Sequence, residues 1–123
     1  MLIKIDVKSS TPVYQQLKNQ IIIAIGTGKL PAGYSLPSVR ALASELSLNN
    51  MTINKVYSQL KEEEYIYIDR RHGAFVCEKD KKEVIDEDTK EKIKLLIAET
   101  NFNGVSKETF IKYCNDIYND IVE

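Results

Sequence analysis

Apolar positions in the first half of the chain recur with helical spacing. Val13, Leu17, Ile21 and Ile25 fall at every fourth residue, and Tyr14 and Ile22 widen the stripe. Pro12 suits the first turn of this helix, with Thr11 as its N-cap, and Gly26 and Gly28 end it. Residues 1–11 read as a short extended arm, and Lys29-Leu30-Pro31-Ala32-Gly33 reads as a turn punctuated by Pro and Gly. Leu36-Pro37-Ser38 starts a second helix, in which Val39, Leu42, Ala43 and Leu46 keep the i, i+3, i+4, i+7 rule. Asn49 then caps a third helix, from about Asn50 to Glu63, whose buried face is Ile53, Val56, Tyr57 and Leu60. Two short helices this close in sequence cannot run on collinearly. They must cross, each burying its stripe against the first helix, as a helix-turn-helix.

The period then changes. Ile66-Tyr67-Ile68-Asp69 and Ala74-Phe75-Val76-Cys77 are β-prone, and Arg70-Arg71-His72-Gly73 between them makes a hairpin with a basic tip. Glu78 to Asp88 is a charged stretch that holds a linker or a helix start, with Asp80 and Glu83 as a relaxed capping box. A fourth helix runs to about Thr100 with Ile93, Leu96 and Ile97 as its stripe, and Asn101 to Gly104 stops it. Ser106 caps a fifth helix, with Val105 and Phe110 as a hydrophobic staple. There Phe110, Cys114, Ile117 and Ile121 are spaced as a heptad seam, thickened by Ile111, Tyr118 and Val122. Two helices of about 45 residues cannot bury that surface alone, and a second copy is the simplest partner. The expected fold is mostly α with a small β-hairpin. A winged helix-turn-helix domain spans residues 1–77, and a two-helix dimerisation unit spans residues 78–123.

Composition narrows the function. Hydrophobic residues at 43% and charged residues at 28% are those of a globular chain rather than a disordered one. The longest apolar run, Ile21 to Ile25, is far short of the ~20 residues of a membrane span, and the start of the chain lacks a signal-peptide pattern, so a cytoplasmic location is expected. Cys77 and Cys114 are too few for a disulfide framework and too far apart for a metal pair, and they read as buried small hydrophobes. A single histidine, His72, argues against a metal site and against most nucleophilic catalysis. No phosphate loop or catalytic motif is present, and the clusters Glu62-Glu63-Glu64 and Asp86-Glu87-Asp88 fit solvated helix surface. An enzyme is not expected, nor a cofactor.

The net charge of −1 argues against a nucleic-acid partner until its distribution is considered. Residues 1–77 carry nine Lys/Arg against six acids, and residues 78–123 carry eight against twelve. All three arginines, Arg40, Arg70 and Arg71, lie in the first part. The outer face of the third helix is Asn50, Met51, Asn54, Lys55 and Ser58, which suits base edges and phosphates. Met51 fits either a thymine methyl or local packing. Tyr57 fits either the core or, through its hydroxyl, a phosphate. A basic-tipped hairpin after a helix-turn-helix is a wing, suited to the sugar-phosphate backbone or a minor groove.

From Gly28-Lys29-Leu30-Pro31-Ala32-Gly33 through Leu36-Pro37-Ser38-Val39-Arg40 to Ala43, the chain resembles the GntR family of bacterial transcription regulators. The resemblance continues through Thr52, Tyr57, Leu60 and the hairpin end Gly73-Ala74-Phe75-Val76, covering about residues 10–77. The short acidic two-helix tail resembles the YtrA subfamily. The resemblance implies a homodimer on a double-stranded operator, usually a repressor, and by subfamily analogy control of transporter genes. It places DNA contacts on Arg40, Asn49, Asn50, Met51, Thr52, Lys55, His72 and Gly73, to which the residue reading adds Asn54, Arg70 and Arg71. Dimerisation falls on Ile93, Leu96, Ile97, Phe110, Cys114, Ile117, Tyr118 and Ile121. Three positions depart from the family pattern. Asn50-Met51 replaces a Pro-Asn pair, Glu64 stands where a helix-ending Gly is usual, and Arg71 replaces the first Gly of the wing. The operator of a two-fold dimer is expected to be an inverted repeat with half-sites about one helical turn apart. A separate effector domain is not expected. The alternative is a winged helix that contacts proteins without reading DNA, consistent with the net charge and with a third helix lacking Arg.

Overall fold

The structure, a computed structural model, describes residues 3–121, so Val122 and the first two residues of the arm lie outside the described residues. The elements are α1 (Val13–Gly26), α2 (Val39–Leu46), α3 (Asn50–Glu62), β1 (Ile66–Asp69), β2 (Gly73–Val76), α4 (Glu87–Phe102) and α5 (Lys107–Asn119). They form two compact units, the first running to Glu78 and the second spanning Lys79–Ile121.

The first unit is organised around α3, which packs on α1, α2 and β1. Its stripe of Ile53, Val56, Tyr57 and Leu60 is 4% exposed or less. Leu17 and Ile21 of α1, Leu42 and Ala43 of α2, and Ile66, Ala74 and Val76 of the hairpin close on it. Each fully buried aliphatic side chain contributes about 1.5–3 kcal/mol. The Tyr57 hydroxyl donates to the Pro37 carbonyl at 2.8 Å, just before α2. Burial pushes its pKa up, so the phenol remains a neutral donor. Tyr57 is therefore a core residue with its polar end satisfied inside the fold.

Local signals set the element ends. Ser38 and Asn49 cap α2 and α3 through side-chain oxygens that accept from Ala41 and Met51 amides. Thr11 does not cap α1. Pro12 is the capping residue, with an extended ψ of 147° and no side-chain bond. Its ring fixes φ, and its carbonyl already accepts from the Gln16 amide, which moves the first helical residue to Val13. Asp80 and Glu83 do not start α4. That role belongs to Asp86, which accepts from the Thr89 amide at 2.7 Å. The lysines at 79, 81 and 82 oppose a helix N-terminus, whereas Asp86, Glu87 and Asp88 favour one.

The hairpin pairs Ile66 with Val76 and Asp69 with Gly73, so β2 begins one residue earlier than the pattern suggested and Cys77 lies outside it. One isolated bridge lies at the edge of the two-stranded sheet. Ser35 bridges Phe75, flanked by bonds from the Gly33 amide to Val76 and from the Leu36 amide to Ala74. The arm is held by two glutamines one turn apart on α1. Gln20 accepts from the Lys4 amide and donates to its carbonyl, and Gln16 does the same for Asp6. These amides replace a neighbouring strand, and Ile3 and Ile5 then pack against the core.

In the second unit neither helix buries a residue. Ile93, Leu96, Ile97, Ile117 and Tyr118 are 41–71% exposed. Phe110, Cys114 and Ile121 are half-buried, and Cys77 in the first unit is half-buried too, so neither cysteine is a core residue. Ile121 lies beyond the end of α5, past the C-cap Asp120, so the helical seam ends at Ile117. Ser106 caps α5 by accepting from Thr109 at 3.1 Å.

Three helices end in the same way. An amide just past the helix end reaches back five residues, from Leu48 to Ala43, from Tyr65 to Leu60 and from Val105 to Thr100. The residue before that amide must be left-handed. It is Gly104 at φ +93°, but Ser47 at +57° and Glu64 at +65°. A Cβ at such a φ costs on the order of 1 kcal/mol. We therefore expect Glu64→Gly to be about 1 kcal/mol more stable than Glu64→Ala in urea denaturation, since both lose the side chain and only one keeps a Cβ.

Candidate nucleic-acid interface

The buried stripe of α3 dictates what its other face shows. At about 100° per residue, Met51, Asn54, Lys55 and Ser58 lie opposite Ile53, Val56 and Leu60. All four are exposed. Met51 is 75% exposed, which excludes local packing as its role. Asn50 is exposed at the helix start, and Thr52 is half-buried at the stripe's flank. The Asn49 side chain is committed to the Met51 amide at 2.8 Å, which fixes the helix start.

Arg40 is exposed in the first turn of α2. The Tyr57–Pro37 bond holds the start of α2 on the body of α3, which locates Arg40 relative to that helix. Lys55 holds its ammonium 3.6 Å from the centroid of the Tyr14 ring on α1. Lys18, by contrast, is largely covered and paired with Glu63, so it is not an available cation.

The wing tip is built by Asp69, a residue that sequence reasoning did not single out. Its carboxylate accepts from the Arg71 amide at 2.9 Å and meets the His72 ring at 2.9 Å. Its carbonyl accepts from the His72 amide. This is an Asx-type turn, and its signal was the Asp ahead of Arg-Arg-His-Gly. Gly73 completes it at φ +107°, a conformation that a side chain would strain although the space is open. Arg70 and Arg71 are left exposed, and neither they nor Arg40 forms an ion pair among the described residues. On the outer face, Tyr67 and Phe75 stack at 5.4 Å. No group of His, Cys, Asp or Glu able to hold a metal occurs among the described residues. No helix among them is long and apolar enough to cross a membrane.

The arrangement is thus one polar helix face, an arginine at an adjacent helix start and a cationic loop, all on one compact unit. The sequence profile of the bacterial regulatory proteins, gntR family, matches residues 12–76, more than half of the chain. The chain belongs to the GntR family. This GntR protein is a transcriptional regulator with a winged helix-turn-helix, not an enzyme. It is 32% identical over 123 residues to the HTH-type transcriptional repressor YtrA of Bacillus subtilis, covering 98% of this chain and 95% of YtrA. A solved structure named a transcriptional antiterminator from Listeria monocytogenes matches with a TM-score of 0.83 and 28% identity, covering 100% and 98% of the two chains. YtrA from Sulfolobus acidocaldarius, a GntR-family transcription factor, matches with a TM-score of 0.65 and 34% identity, covering 81% of this chain and 97% of that one.

The hydrogen bond with His72 and the bond from the Arg71 amide hold the Asp69 pKa below the ordinary value of 3.8. A depressed carboxylate contributes order above its unfolded pKa and loses it as pH falls through the folded value. The contribution of the Asp69 carboxylate to the tip is therefore present above its unfolded pKa and is lost in acid. We expect the Asp69 carboxyl, followed by NMR titration, to have a midpoint below 3.8 and to move up in His72→Ala. An unmoved midpoint would exclude the Asp69–His72 contact.

Proposed function

We propose that this GntR regulator is a homodimeric repressor that reads an inverted-repeat operator, with residues 1–77 on the DNA and residues 78–123 forming the dimer. The observation that carries the DNA reading is the outer face of α3, which is polar and exposed, on the same unit as three exposed arginines that form no ion pair among the described residues. Asn50, Met51, Thr52, Asn54 and Lys55 would face the major groove, with Asn49 fixing the helix start. Arg40 would meet a phosphate, and Arg70, Arg71, His72 and Gly73 would track the backbone or a minor groove. The repressor name of the Bacillus subtilis YtrA supports the direction of regulation. Control of transporter genes is what the subfamily resemblance implies, and a cytoplasmic location is consistent with a regulator that works on DNA. An effector, if used, would act between the tail helices or at the dimer interface, changing the spacing of the recognition helices.

The dimer rests on the second unit, which leaves Ile93, Leu96, Ile97 and Ile117 uncovered. Apolar area of this kind on a small two-helix unit calls for a like surface to cover it.

Two outcomes are expected. Selection from a random duplex library enriches an inverted repeat with half-sites about one turn apart. On that duplex, Lys55→Gln lowers the slope of log K against log salt by about 1. Retention without enrichment would favour the protein-contact alternative. Separately, the pair Ile97→Asp and Ile117→Asp shifts sedimentation from dimer to monomer and weakens operator binding at least about tenfold, while the helical circular dichroism of the first unit survives. A monomeric parent chain would rule out the dimer.

A further inference from the structure

We infer that Tyr14 of α1 is a positioning residue for DNA binding, acting through Lys55 of α3. The inference rests on the proposed DNA reading of the α3 face. The Lys55 ammonium sits 3.6 Å from the Tyr14 ring centroid, in the range where a cation is held by the negative face of an aromatic ring. Lys55 is otherwise exposed and has no carboxylate partner among the described residues. Tyr14 is half-buried and packed against the core, so the ring itself is fixed.

A flexible lysine on a helix surface samples many rotamers and loses that freedom when it binds a phosphate. Here the ring restricts the side chain beforehand. A ring takes up one side of the ammonium and accepts no proton, so N–H donors on the other side stay available to a phosphate oxygen. A carboxylate in the same place would neutralise the cation and compete with DNA. Tyr14 therefore pre-orders Lys55 without cancelling its charge. No pattern of polar residues on α3 marks this role, because Tyr14 belongs to another helix and to an apolar stripe.

The contact itself is read first, in the full chain without DNA. The ring current of Tyr14 should shift the Lys55 ε-methylene protons upfield in NMR, a shift kept in Tyr14→Phe and lost in Tyr14→Leu. Affinity is then measured on the duplex recovered by site selection. Tyr14→Leu is expected to weaken binding about three- to tenfold, as a newly disordered side chain would. Tyr14→Phe should stay within about twofold of the parent, because the ring remains. In a Lys55→Gln background, Tyr14→Leu should cost nothing further. Equal losses in Tyr14→Phe and Tyr14→Leu would overturn the inference in favour of a direct role for the hydroxyl. Additive losses in the Lys55→Gln background would overturn it in favour of packing alone. If Lys55→Gln leaves both affinity and salt slope unchanged, the DNA reading of Lys55 fails and takes the inference with it. That failure is distinguished by the ring-current shift, which would persist.

Discussion

The burial of one stripe on α3 organises the DNA-binding unit. Ile53, Val56, Tyr57 and Leu60 form the floor on which α1, α2 and β1 rest, and the buried side chains that close on it are hydrophobic. Because an α-helix turns about 100° per residue, fixing these four also fixes the residues that point away. A helix free to roll would mix Val56 with Lys55 in its outward set. Tyr57 prevents this twice, through its buried ring and through a hydroxyl committed to Pro37. The same bond ties down the start of α2, so core packing and the position of Arg40 are set by one side chain.

Much of this was legible because helical periodicity and capping chemistry are local. The stripe of α3, the Asn49 cap and the Ser38 start need only residues within two turns of one another. The strain at Glu64 was signalled by the family resemblance, in which that position usually holds a helix-ending Gly, and the structure gives it a positive φ. The misreadings have physical causes. Pro12 has an extended ψ, which moved the helix start and left Thr11 without a capping role. The run of lysines after Glu78 disfavours the helix start at Asp80 that its spacing to Glu83 suggested. Four features escaped because they are contacts between segments distant in sequence or carried by unremarkable residues: the Ser35–Phe75 bridge, the glutamine clamp on the arm, the Lys55–Tyr14 contact, and the Asp69 turn.

The charge balance illustrates why a net value is a poor guide. A chain at −1 presents on one unit exposed arginines that form no ion pair among the described residues, while its acids concentrate in the other. Within the first unit, Glu63 is engaged with Lys18 and Asp69 with the wing tip. Asp69 has a structural task among cations. It shapes the loop that carries Arg70 and Arg71, and takes its partners from the backbone amide of Arg71 and the ring of His72 rather than from a guanidinium group. The tail follows a different logic. Its helices are capped individually by Asp86 and Ser106, so each is locally well specified, yet neither buries a side chain. Local helix formation and tertiary burial are thus separated there.

The central claim is that α3 presents its polar face to DNA, supported by the wing tip. The most direct measurement is a two-dimensional amide NMR spectrum of the isotope-labelled chain, titrated with the selected duplex. The largest changes should fall on Asn49 to Lys55 and on Arg70 to Gly73, with smaller ones at Arg40, while amides of the buried stripe hold their positions. Changes concentrated on the outer face of the hairpin around Tyr67 and Phe75, with α3 unmoved, would contradict it.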